Sequence, residues 1–158
     1  AIDPVCLIQP YAMQCLKERK GSSVLTDGID LYGRGYADCV LAARTPLLEE
    51  NPDAVKAVIK AMMTAQLATE QDTLSTLEDT VGKYYKTKLE DLTLAQSSQP
   101  VMIDQRNNTD FFYDRSVSMQ KMGYVKNTLP SDAVNWTLLE EVISENADLY
   151  SKLKLKTV

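Results

Sequence analysis

Gln9, Tyr11 and Tyr36 are the side chains here whose type and setting suit chemistry, and that chemistry is recognition. A neutral amide both donates and accepts hydrogen bonds. A phenol stacks on a planar group and offers a hydroxyl. Reaction chemistry has less to draw on. Histidine is absent from all 158 residues. That removes the commonest general base, the Ser/His and Cys/His nucleophile pairs, and the most frequent zinc ligand. The three cysteines are dispersed, with no CxxC pair, and no GxGxxG or GxxxxGK[ST] loop occurs. The expectation is no enzyme, no metal and no cofactor.

The three residues must be positioned by their elements. Residues 5–8 (Val-Cys-Leu-Ile) are an apolar run between Pro4 and Pro10, which reads as a short buried strand entering a helix over 11–20. Gly21 stops that helix. Residues 23–26 read as a second strand, so the opening is a parallel β-α-β unit with a right-handed crossover. Gln9 then sits at the C-terminal end of a parallel strand, where open α/β sheets bind ligands. The alternative for Gln9 is a polar residue at a helix entry; for Tyr11, cover for the first helical turn. Residues 28–36, with three glycines and two tyrosines, read as a loop, and 38–43 as a third strand. Tyr36 and Tyr32 either face a cleft or pack within that loop. Cys6 and Cys39 in strand runs and Cys15 on a helix are expected as core thiols, a Cys6–Cys15 bridge being the alternative.

After Arg44 only helices are expected. A short turn at 45–49 precedes the best-marked helix, where Asn51 caps, Pro52 takes the first position and Asp53 meets the dipole. Val55, Val58, Ile59, Met62 and Ala65 form its apolar stripe. Thr73 starts a further helix that continues through Gly82. The Thr87-Lys88-Leu89-Glu90 spacing predicts a capping box and a helix to about Gln96. Residues 99–108 read as a polar loop whose Asp104 and Arg106 are expected to be solvated, the alternative being that they face a cleft. A helix over 109–122 ends at Gly123. Asn135 caps a last helix, Trp136 anchors packing, and the 152–158 tail frays. Asp3 is expected to cap or turn the strand entry.

Hydrophobic residues make up 44% and charged residues 25% of the chain, the balance of a globular protein. A net charge of −5 with scattered Lys and Arg argues against a nucleic-acid partner. No apolar run approaches the roughly 18 residues that suggest a membrane span.

Several segments resemble one family in order. Asp3, the apolar run and Gln9-Pro10-Tyr11-Ala12 resemble an "acidic, strand, E-P-Y-A" segment. Tyr36-Ala37-Asp38-Cys39-Val40-Leu41-Ala42-Ala43-Arg44 resembles a crossing strand, and Asn51-Pro52-Asp53-Ala54-Val55 an "N-P-E-x-V" helix start. Met122-Gly123-Tyr124-Val125 and Val134-Asn135-Trp136-Thr137-Leu138-Leu139 resemble its late segments. The family is the solute-binding proteins of ABC importers for nitrate, sulfonate, taurine and thiamine-pyrimidine precursors. The resemblance implies an α/β chain with a partial type II periplasmic-binding-protein fold, a short parallel β-α-β unit followed by a helix-rich segment. Residues 1–35 would end the second lobe, 36–44 would be the hinge strand, and 45–158 would return as helices to the first lobe. The N-terminal half would be missing. It further implies an extracytoplasmic protein that captures a small organic or anionic solute between two lobes and delivers it to a membrane permease. The ligand would meet Gln9, Tyr11 and Tyr36. Such a fragment would dimerise or pair with its missing half. Gln9 replaces the family's usual glutamate. The nearest enzymes of this fold use histidine and a cysteine-rich iron motif, neither of which is here. The competing reading is a helical interaction module that docks a partner through an apolar helix face.

Overall fold

The structure, a computed structural model, describes residues 4–33 and 35–157. Among them the chain is helical, 56% of it, with 1% strand and no sheet. The expected α/β architecture, the partial type II periplasmic-binding-protein fold with its parallel β-α-β unit, is therefore not formed. Residues 5–8, 23–26 and 38–43 carry no strand assignment. Val5, Ile8, Val24, Leu25 and Val40 are 59–83% exposed. A strand exists only in a ladder, and a short parallel one needs a buried face as well as a partner. These apolar runs have neither. The one β feature among the described residues is an isolated Val81–Tyr85 bridge. The core-thiol expectation fails with the strands: Cys6 and Cys39 are exposed, Cys15 is half-buried, and all three are free.

The helices are α1 (Tyr11–Glu18), α2 (Gly28–Tyr32), α3 (Thr45–Glu50), α4 (Pro52–Gln71), α5 (Thr73–Glu78), α6 (Leu89–Ser98), α7 (Thr109–Lys121), α8 (Thr137–Glu145) and α9 (Ala147–Lys152), with a 3₁₀ turn at Arg106–Asn108. The chain divides into two compact units, one of residues 1–25 and 65–101, the other of 26–64 and 102–158.

In the first unit α6 packs on α1 and α5. Leu77, Leu92 and Ala95 are buried there. Lys17 on α1 reaches Asp91 at 2.7 Å and Glu90 at 2.9 Å on α6. The hydrogen bond to Asp91, then that to Glu90, raises the Lys17 pKa. Asp91 is only 3% exposed, so this ion pair gives a buried carboxylate its counter-charge. Helix α5 stops at Glu78, short of the expected continuation, because the chain turns at Gly82, whose φ of +78° suits glycine. Helix α6 begins where expected, but no capping box forms: Thr87 Oγ1 is buried without a hydrogen-bond partner.

The second unit holds α2, α3, most of α4 and α7–α9. Asn51 caps α4 as expected, its Oδ1 accepting from the Ala54 amide at 3.3 Å. The buried face of α4 is Val55, Ile59, Met63 and Gln66; Val58 and Ala65 of the expected stripe are exposed. Val55, Ile59 and Met63 follow an i, i+4 row, with Gln66 three residues further on, rather than the broad stripe. Asn135 Oδ1 accepts from the Thr137 amide at 2.9 Å at the start of α8. Leu139 and Val142 bury the inner side of α8. Residues 152–157 of the tail do not fray. Leu153 is 3% exposed, and Thr157 Oγ1 donates to the Asp104 carbonyl at 3.0 Å. The expectation for Asp3 lies outside the described residues.

Candidate functional site

Gln9 and Tyr11 lie in the first unit, on either side of Pro10, which is buried. The Gln9–Pro10 peptide is cis. Gln9 is half-buried, and its Oε1 is shielded from solvent without any hydrogen-bond donor. Tyr11 opens α1 and is 41% exposed.

Tyr36 lies in the second unit, and its surroundings are built from two elements. Asp27 caps α2, its Oδ1 accepting from the Ile29 amide at 2.8 Å and the Asp30 amide at 3.1 Å. The expected loop over 28–36 thus begins with a helical turn, which carries Tyr32. Helix α7 carries Phe111, Phe112 and Arg115. The Tyr32 and Tyr36 ring centroids are 5.6 Å apart, Tyr32 meets Phe111 edge-on at 5.6 Å, and Tyr36 lies 6.3 Å from Phe111. The cluster extends through Phe112 to Trp136. Trp136 is fixed by its Nε1–H, which donates to Thr109 Oγ1 at 2.8 Å. Gly28 makes room for Tyr36: a Cβ there would stand 2.0 Å from the Tyr36 Cζ. The turn is tied to the 3₁₀ segment by Asn108 Nδ2, which donates to the Gly35 carbonyl at 2.8 Å.

Arg115 completes the cluster and was not among the expected site residues. Its guanidinium carbon lies 4.5 Å from the Tyr32 centroid and 5.7 Å from that of Phe111. Its Nε is buried and donates to nothing among the described residues. The signal was present in the sequence: Phe111 and Arg115 stand four apart on a helix, the spacing that stacks a cation on a ring.

Asp104 and Arg106, expected as solvated, are instead paired, and Asp104 is 2% exposed. Its carboxylate accepts from Arg106 Nε and Nη2, each at 3.0 Å, and from the Tyr150 hydroxyl at 2.6 Å. Burial pushes the Asp104 carboxyl up, but the hydrogen bonds from Arg106 and Tyr150 outweigh it and hold the pKa at about 2. Burial and the bond to Asp104 raise that of Tyr150. Every group has its partner, so this cluster is a structural staple.

An open groove of about 530 Å³ lies beside α4 and α8, lined by Asp53, Lys56, Lys60, Val142, Glu145 and Asn146 among others. Lys56 there is paired with both Glu141 and Glu145. None of Gln9, Tyr11 or Tyr36 lines it. Among the described residues, no three His, Cys, Asp or Glu side chains gather to hold a metal. No described helix is long and apolar enough to cross a membrane.

No family model, no curated protein and no solved structure matches this chain.

Proposed function

We propose that this chain is a solute-binding component of an ABC importer, taking a small organic or anionic solute at the aromatic cluster that contains Tyr36. The observation that carries the reading is that cluster: two phenols and a phenylalanine beside an arginine whose Nε is buried with no hydrogen-bond partner among the described residues. Aromatic faces with a few polar groups are the usual lining of small-molecule sites. The ordered resemblance of the sequence to importer binding proteins supports the same reading. Under this reading the chain is extracytoplasmic, its protein partner is a membrane permease, and it performs no catalysis. The reading rests on these side chains and not on a sheet.

Calorimetry with nitrate, taurine, other alkyl sulfonates and pyrimidine precursors tests it. At least one should titrate, and Tyr36→Ala should weaken that binding by about tenfold. Silence across the panel, or an unchanged affinity in Tyr36→Ala, would overturn the assignment.

A further inference from the structure

We infer that Arg115 is a recognition point for a planar carboxylate, its guanidinium edge gripping the anion while a ring attached to it lies against Tyr36 and Phe111. This rests on reading the aromatic cluster as a solute site and names the chemistry that the site would select.

Three observations lead to it. The first is charge balance. The chain has 22 acidic and 17 basic residues, so counter-ions are plentiful. Lys17, Lys56 and Arg106 each meet carboxylates. Arg115 is half-buried and meets none among the described residues. The second is the orphaned donor. The Nε–H is withdrawn from water with no acceptor, a state that a buried polar group rarely keeps. The third is placement. The guanidinium carbon stands over the Tyr32 ring, 4.5 Å from its centroid, so the cation sits among aromatic side chains. A guanidinium is a planar fork of N–H donors matched to a carboxylate, which a lysine ammonium cannot reproduce. The rings of Tyr32 and Phe111 adjoin the cation, and Tyr36 packs against both of them.

The test is two-dimensional NMR of the arginine Nε–H signals on the whole chain, titrated with sodium benzoate, sodium acetate and benzyl alcohol. Benzoate should move the Arg115 Nε–H signal downfield and saturate. Acetate should move the same signal with weaker affinity. Read from the Tyr36 ring signals, which both variants keep, benzoate affinity should fall about tenfold in Arg115→Lys and be lost in Arg115→Gln. Unchanged Trp136 fluorescence and far-UV circular dichroism would show that the variants keep their fold. Perturbation of the Tyr36 ring signals by benzyl alcohol, with Arg115 unmoved by benzoate, would overturn the carboxylate assignment and leave the solute site standing. A response matched by sodium chloride at equal ionic strength would overturn it as plain screening. No response to any probe would overturn this inference together with the reading beneath it.

Discussion

Asparagine at position 104 removes a charge and keeps the shape, so Asp104→Asn isolates what the carboxylate contributes. The side chain is 2% exposed and accepts from the Arg106 amide, Nε and Nη2 and from the Tyr150 hydroxyl. These partners tie the 3₁₀ turn to α9. The folded pKa is about 2, below the ordinary 3.8. A depressed carboxyl pKa means stability that is fully present above about 3.8 and lost as pH falls towards 2. A shift of that size corresponds to at most roughly 2.5 kcal/mol. The Arg106 side chain is 30% exposed, so solvent screens part of the attraction, and about 1–2 kcal/mol is the expected contribution. Trp136 is the only tryptophan and lies in the same unit as Asp104, so its fluorescence reports the relevant unfolding. Urea titrations at pH 7 should show Asp104→Asn destabilised by about 1–2 kcal/mol, and the gap to wild type should narrow steadily below pH 4. Equal stability at pH 7, or a gap that stays constant down to pH 2, would refute the reasoning.

Gly28→Ala should displace the Tyr36 ring, because a Cβ at 2.0 Å from Cζ cannot coexist with it. The Tyr36 aromatic NMR signals should move while stability changes by less than about 1 kcal/mol, since the clash falls on a side-chain tip and alanine favours the helix. Thr109→Val removes the acceptor of the Trp136 indole; a loss of about 1 kcal/mol and a changed tryptophan emission are expected in the urea assay. Met63→Ala empties a position that is 1% exposed on α4 and should cost about 2–5 kcal/mol in the same titration. Lys17→Ala leaves the 3%-exposed Asp91 without its cation, and differential scanning calorimetry should show a lower transition temperature.

Helix α4 was legible because its start is written in adjacent residues: Asn51 caps, Pro52 tolerates the first turn, and no distant partner is needed. Helix α7 with Gly123 beyond it, and Asn135 before α8, were legible for the same local reason. The strands were not, because an apolar run specifies a wish for burial and says nothing of what will pair with it. The Asp104 staple was hidden because Tyr150 lies 46 residues away, and no local pattern announces that the two meet. Of the site residues, Tyr36 could be suspected from its loop. Its neighbour Phe111, and the Arg115 that stands over Tyr32, come from α7, and only the folded chain brings them to that loop.

The unpaired apolar stretches have a consequence for isotope labelling. The amides of Val24, Leu25, Cys39, Val40, Leu41 and Ala42 donate no backbone hydrogen bond among the described residues. In deuterated buffer they should therefore exchange at close to the rate of an unstructured peptide, within seconds at neutral pH, while amides inside α4 persist far longer. Slowed exchange confined to these stretches would be a direct footprint of any strand that comes to lie beside them, whichever molecule carries it.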